Sequence, residues 1–132
     1  MEGIIMSGNQ KFFKCNHCGN LSGLIDNKGV PMMCCGEKMT ELVPNTAEAS
    51  TEKHLPVITT SGEVLEVKVG SVSHPMEDSH SISFVYVETQ HGGQRKFLKP
   101  GVEPSVKFSF VDDKPVAVYA YCNLHGLWKT EV

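Results

Sequence analysis

The sequence predicts an all-β protein in which a small metal-stabilised module, residues 1–43, precedes an antiparallel β-sandwich, residues 44–132. Two observations support this prediction. Four of the five cysteines fall within 21 residues near the N-terminus, whereas the chain beyond His54 repeats short alternating apolar and polar runs between turn signals. No segment shows the apolar periodicity of an amphipathic helix.

The clustered cysteines form a Cys-x2-Cys turn and, fifteen residues later, an adjacent pair: Cys15, Cys18, Cys34 and Cys35. Residues 11–43 contain too few apolar side chains to stabilise about 35 residues alone, so a bound metal must contribute folding free energy. Four thiolates suit zinc or a single rubredoxin-like iron equally well. A structural zinc ribbon is the simplest interpretation, but the adjacent pair argues against it because neighbouring cysteines must splay to reach one ion. His17 lies inside the first turn and is predicted to be exposed, since four cysteines already complete a tetrahedron.

Residues 44–53 are small and polar, which predicts a linker with at most one weak helical turn. Beyond this segment, period-two alternation recurs in residues 65–69, 82–86 and 106–110, and each run is bounded by Gly, Pro, Asp or Asn. Short strands with such turn signals predict an antiparallel sandwich in which one face of each sheet is buried. In the second run this pattern places Ile82, Phe84 and Tyr86 together on one face.

Charge and composition argue against several classes of function. The net charge of −3 disfavours nucleic acids and anionic membranes as partners, because binding them requires a basic patch. The apolar run Ile4-Ile5-Met6 is too short for a signal peptide or a membrane span, which predicts a cytoplasmic protein. An odd, clustered set of cysteines in a reducing compartment indicates metal ligands rather than disulfides.

A second group of potential metal ligands centres on Cys122 and His125, which follow a strand predicted over residues 116–121. The two intervening residues allow a thiolate and an imidazole to reach one ion. Three more histidines lie upstream in loops marked by Pro or Gly: His54, His74 and His80. Five nitrogen and sulfur donors exceed the four that zinc usually takes, and they suit a redox iron that binds a small molecule. The alternative is a structural zinc with one or two uninvolved histidines, and His91, in a hairpin turn, is left out of either set.

Taken together, these motifs closely resemble desulfoferrodoxin, the two-iron superoxide reductase. The resemblance rests on Cys15-x2-Cys18-x15-Cys34-Cys35, Glu52-Lys53-His54-x-Pro56, Gly70-Ser71-Val72-x-His74-Pro75-Met76-Glu77, Lys96-Phe97-Leu98-Lys99-Pro100-Gly101 and Tyr121-Cys122-Asn123-Leu124-His125-Gly126. It extends from Lys11 to Lys129, and the first ten residues fall outside it.

The resemblance implies a desulforedoxin-like N-terminal module, an immunoglobulin-like sandwich and a homodimer. It also implies one-electron reduction of superoxide to hydrogen peroxide without release of dioxygen, with rubredoxin as the electron donor. A ferric tetrathiolate centre would be held by Cys15, Cys18, Cys34 and Cys35. A second iron, alternating between Fe²⁺ and Fe³⁺, would have His54, His74, His80 and His125 in its plane and Cys122 as the axial ligand. Glu52 and Lys53 would lie beside the open sixth position as catalytic residues.

Two other functions remain open from the residues alone. In the first, the tetrathiolate is a non-catalytic electron carrier and the histidine site holds a structural ion. In the second, both sites bind zinc in an interaction protein. Two irons per chain with ferric-thiolate colour would favour the reductase, and two zincs without colour would contradict it.

Overall fold

The computed structural model describes residues 8–132, so the apolar run at residues 4–6 lies outside the described part of the chain. The regular elements, in chain order, are β1 (Lys11–Lys14), β2 (Leu21–Leu24), β3 (Met33–Cys34), β4 (Glu37–Lys38), β5 (Thr40–Glu41), α1 (Thr51–His54), β6 (Pro56–Ser61), β7 (Val64–Val69), β8 (Ile82–Thr89), β9 (Gly93–Phe97), β10 (Ser105–Ser109), β11 (Pro115–Cys122) and β12 (Gly126–Glu131). Every strand pair is antiparallel, which confirms the predicted fold class. Within residues 8–132 no helix has the length and apolar character needed to cross a bilayer.

The chain divides into two compact units, of which the smaller is Asn9–Val43. It consists of a three-stranded sheet in the order β2-β1-β5 and the hairpin β3-β4. Only Phe12 and Cys15 are buried in this unit, whereas Ile25 and Val30 are largely exposed. So small a core cannot stabilise the unit by apolar burial alone, which agrees with the expectation that a metal contributes to its folding.

The larger unit comprises Pro44–Val132 and, at the start of the described chain, Gly8. Two sheets, β10-β7-β6 and β12-β11-β8-β9, pack face to face as a sandwich. Both sheets contribute to one core, formed by Leu65, Val67, Val69, Ile82, Val85, Val87, Phe108, Phe110, Val118, Ala120 and Cys122. Strand β7 follows the predicted alternation, because its three core residues are fully buried and the residues between them are exposed.

Strand β8 departs from the predicted alternation. Its register with β11 shifts at Ser83, which is left without an opposing residue. An extra residue of this kind moves the following side chains to the opposite face of the sheet. Consequently Val85 and Val87 lie in the core. Outside the core cluster, Phe84 stacks on Tyr121 and Tyr86 packs at a tilt against Tyr119, both tyrosines of β11.

The polar segment 44–53 is attached to the sandwich. The backbone N–H of Asn45 donates to the Leu127 carbonyl, and its side chain forms two hydrogen bonds with the backbone of Lys129 at 3.1 and 2.8 Å. The segment ends in α1, whose last residue, His54, is buried. The single helical turn is therefore present as predicted, but the description of these residues as a linker does not hold at Asn45.

Candidate metal centres

The four cysteines of the small unit converge on one point. Their sulfur atoms all lie within 4.8 Å of one another. The Cys18 and Cys34 sulfurs are 3.6 Å apart, and those of Cys34 and Cys35 are 4.0 Å apart. A tetrahedron with metal–sulfur bonds of about 2.3 Å has edges of about 3.8 Å. The group therefore has the dimensions of a tetrathiolate site.

The backbone explains how two adjacent cysteines reach the same point. Cys35 has a φ of 53° and Gly36 a φ of 76°, so both residues adopt the left-handed conformation. This conformation is uncommon for a residue with a β-carbon and costs on the order of 1–3 kcal/mol. The strain occurs where two neighbouring side chains must turn toward one ion.

The thiol pKa values show why four thiolates require a cation. Backbone N–H groups of Cys18, and then of His17, lower the pKa of Cys15 to about 6. Hydrogen bonding with Cys18 and Cys15 raises the pKa of Cys35 to about 12 and also raises that of Cys34. The Cys15 thiol thus ionises readily, whereas Cys34 and Cys35 keep their protons unless a metal ion compensates the negative charge.

Four histidine rings form a square in the sandwich unit. Neighbouring ring centroids are 4.6 Å apart for His54–His74, 4.7 Å for His74–His80, 5.1 Å for His80–His125 and 5.0 Å for His54–His125. The His54–His80 distance across the square is 6.5 Å. Neighbouring rings stand at 77° to 88° to each other. The four rings thus surround one central point.

Hydrogen bonds determine which ring nitrogens face that centre. Nδ1 of His54 lies 2.6 Å from the Ser50 carbonyl oxygen, and Nδ1 of His74 lies 2.6 Å from that of Pro75. Because a carbonyl only accepts, each Nδ1 holds the proton and each Nε2 presents a lone pair. The two Nε2 atoms are 3.1 Å apart with no proton to share. Two nitrogens bonded to one metal at about 2.1 Å and at right angles are separated by about 3.0 Å.

His80, His125 and Cys122 complete the donor set. Nε2 of His80 is buried and has no hydrogen-bond partner within residues 8–132. Nδ1 of His125 lies 3.2 Å from His54 Nε2 and 3.9 Å from Cys122 Sγ. The Cys122 thiol is fully buried, within 4.8 Å of ligand atoms of the other three histidines. The site thus offers three Nε2 atoms, one Nδ1 atom and one sulfur, a set that can bind iron.

Burial controls the charge of these ligands. It lowers the pKa of His54 and lowers that of His74 to about 4. These imidazoles are therefore unprotonated and able to bind metal at neutral pH. Burial raises the pKa of Cys122, so its thiolate forms only where a cation compensates the charge.

The ligands come from four segments of the sandwich. His54 ends α1, His74 and His80 lie between β7 and β8, Cys122 ends β11, and His125 lies in the turn before β12. His17 and His91, which the sequence placed outside both sites, are exposed.

Trp128 in β12 also belongs to the site, and the sequence interpretation missed it. Its ring stacks on His54 at a centroid distance of 4.9 Å, and its Nε1–H donates to the His125 carbonyl at 3.1 Å. The sequence contained one signal for it, since the only tryptophan of the chain follows His125 by three residues.

The two predicted catalytic residues, Glu52 and Lys53, lie on α1 directly before His54. Both are exposed, and neither forms an ion pair with any residue from 8 to 132. Glu52 lines a groove of about 740 Å³ together with Leu55 and Pro56. Both residues therefore directly precede the metal ligand His54 in the same helical turn. Their catalytic roles beside the metal stay predictions.

Known proteins of similar sequence and structure were compared with the chain. The family model for desulfoferrodoxin matches residues 46–131. The desulfoferrodoxin of Nitratidesulfovibrio vulgaris is 41% identical over 126 residues, which cover 96% of this chain and 99% of that protein. A desulfoferrodoxin homolog of Archaeoglobus fulgidus is 42% identical over 118 residues, 89% of this chain and 94% of that protein. The crystal structure of the superoxide reductase from Treponema pallidum matches with a TM-score of 0.79 and 34% identity, over 94% of this chain and 100% of that one.

Proposed function

This chain belongs to the desulfoferrodoxin family, and from that premise we propose that it is a superoxide reductase. The observation that supports the proposal is the square of four histidines beside the buried thiol of Cys122. Five nitrogen and sulfur donors suit a redox iron better than a structural zinc. The similar protein from Treponema pallidum is itself described as a superoxide reductase.

The proposed reaction adds one electron and two protons to superoxide and yields one hydrogen peroxide. Iron bound by these ligands would supply the electron through its Fe²⁺/Fe³⁺ couple. Residues around the site orient or bury the ligands that would hold this iron. The Ser50 and Pro75 carbonyls orient His54 and His74 through their Nδ1 protons, and the sandwich core encloses the Cys122 thiol. Four neutral imidazoles and one thiolate around a ferrous ion would give the site a formal charge of +1, which would attract the anionic substrate.

We assign the guidance of superoxide to Lys53. Its ammonium group is exposed and has no ion-pair partner within residues 8–132, so its charge is available to an incoming anion. Clefts lined by charge of one sign raise association rates by roughly 10- to 10³-fold, and Lys53 would supply one such charge beside the site. The same ammonium group can orient a water molecule that donates a proton to the product.

Glu52 is proposed to act once the iron is ferric. After the peroxide has left, its carboxylate would offer that iron a hard oxygen ligand. In the structure its side chain lines the groove beside Leu55, so this role requires α1 to move. The helical turn is four residues long and has no side-chain cap at its N-terminus. The Glu52 carbonyl, however, accepts hydrogen bonds from the Val72 N–H at 3.0 Å and the Ser71 hydroxyl at 3.3 Å, so a movement of the α1 backbone has to break both.

The tetrathiolate group of the small unit is proposed to hold a ferric ion as a desulforedoxin-type centre that transfers electrons. Rubredoxin as the donor, a homodimer and a cytoplasmic location are further proposals. All five cysteines are free thiols, which is consistent with a reducing compartment.

Metal analysis and rapid mixing test the proposal. The expected metal content is two irons per chain, with visible absorption from two ferric-thiolate centres. The reduced protein, mixed with superoxide in a stopped-flow instrument, should form one peroxide per superoxide consumed and no dioxygen. Protein loaded with zinc is the matched control and should not react. A fully iron-loaded chain that leaves superoxide unreacted would instead indicate an electron-transfer module.

A further inference from the structure

The four histidines of the sandwich site are not held in the same way. The rings of His54 and His74 are fixed by backbone carbonyls, each at 2.6 Å from Nδ1. The backbone of His125 is held by the Trp128 side chain at 3.1 Å. The ring of His80 forms no hydrogen bond with any residue from 8 to 132. Its position therefore depends on the backbone to which it is attached.

Asn123 holds that backbone on both sides of His80. The Nδ2–H of Asn123 donates to the Ser79 carbonyl at 3.0 Å, and its Oδ1 accepts from the Ser81 N–H at 3.0 Å. The backbone N–H of Asn123 also donates to the Ser81 carbonyl at 3.2 Å. Three hydrogen bonds thus join the residue after Cys122 to the two neighbours of His80.

We propose that Asn123 is a positioning residue that sets His80 in register with the Cys122 sulfur. An amide suits this role because it presents a donor and an acceptor in one plane, matching a carbonyl and an N–H. Aspartate would keep the acceptor and lose the donor, and alanine would lose both. Removal of a residue that orients a metal ligand typically lowers metal affinity by about 10- to 100-fold.

Metal binding can be measured without superoxide, so failure of this inference is distinguishable from failure of the proposed reaction. Trp128 is the only tryptophan, and its ring stacks on His54. Its fluorescence should therefore report metal binding at the sandwich site. The experiment is a Co²⁺ titration of metal-free, full-length protein, with a competing chelator to set the free-metal concentration.

A double-mutant cycle separates positioning from general damage to the fold. Asn123→Ala should weaken Co²⁺ binding by about 10- to 100-fold in the parent chain. In a His80→Ala chain the same change should alter affinity by no more than about twofold, the scatter expected of independent sites. In a His74→Ala chain, Asn123→Ala should again weaken Co²⁺ binding by about 10- to 100-fold, because His80 is still present. Leu124→Ala is the neighbouring control, since its side chain is 60% exposed, and it should bind Co²⁺ like the parent.

Two results would overturn the inference. The first is an unchanged affinity for Asn123→Ala in the parent chain. The second is an equal loss with and without His80, which would mean that Asn123 acts on the fold or on another ligand. If Asn123→Ala does not fold, the cycle is run with Asn123→Asp, and the same two outcomes apply to it.

Discussion

Replacement of Gly70 by alanine should affect both the stability of the sandwich and its metal site. Gly70 has a φ of +85°, and a β-carbon there would lie 2.4 Å from the Val72 carbonyl oxygen and 2.6 Å from that of Lys53. Both neighbours are backbone atoms, so no side-chain rotation can relieve the overlap. The Lys53 carbonyl directly precedes ligand His54, so relief of the overlap must shift α1.

The size of the effect follows from two additive causes. A left-handed conformation costs a residue with a β-carbon about 1–2 kcal/mol. Overpacking against closely fitted atoms costs a further ~1–3 kcal/mol. Gly70→Ala should therefore lower the free energy of unfolding by about 2–5 kcal/mol, and it should also weaken Co²⁺ binding because His54 moves.

Gly101 provides a matched control within the same unit. Its φ is +86°, but a β-carbon there would have no atom within 4 Å. Gly101→Ala should therefore lose only the conformational part, about 1–2 kcal/mol. Urea unfolding of the metal-free proteins, followed by Trp128 fluorescence, measures both variants. Equal losses for the two variants would refute the close-approach argument.

The two metal sites and their neighbours lead to the remaining predictions. Cys15→Ser should remove the visible spectrum of the tetrathiolate and leave one iron in the sandwich, because the two donor groups lie in separate units; loss of both irons would contradict this. Cys122→Ser should abolish the thiolate charge-transfer band of the sandwich site and its activity, because serine is a harder and poorer ligand; an unchanged spectrum would exclude Cys122 from coordination. Lys53→Ile should slow the reaction with superoxide and weaken its salt dependence, whereas Glu52→Ala should alter mainly the resting ferric spectrum. Pulse radiolysis over a salt series tests both, and parent rates for Lys53→Ile at every ionic strength would exclude steering by Lys53. Burial lowers the pKa of His74 from 6.5 to about 4, so the unfolded chain binds a proton in this pH range that the folded chain does not. The metal-free sandwich should therefore lose stability as the pH falls from 6.5 to about 4 and lose no more from this group below that range. A urea unfolding midpoint that stays constant between pH 6.5 and about 4 would contradict this prediction.

Local sequence patterns were sufficient to identify the four clustered cysteines as ligands of one metal site. The Cys-x2-Cys turn and the Cys34-Cys35-Gly36 turn place their sulfurs through short-range backbone geometry, so spacing alone indicated a tetrathiolate. Period-two alternation likewise predicted β7 and the sandwich, because side chains in a strand alternate between its faces. Such patterns are readable because the interacting residues are neighbours in the chain.

The tertiary structure decided the geometry of the histidine site. His54 and His125 are separated by 71 positions in the sequence, yet their ligand nitrogens are 3.2 Å apart. The order of the rings, the choice of Nδ1 or Nε2 and the contact of Trp128 with His54 arise where loops from both sheets meet. The bulge at Ser83 reversed the predicted face of β8, because one extra residue shifts every later side chain to the other side. These features depend on the packing of distant segments, and no pattern within a single segment determines them.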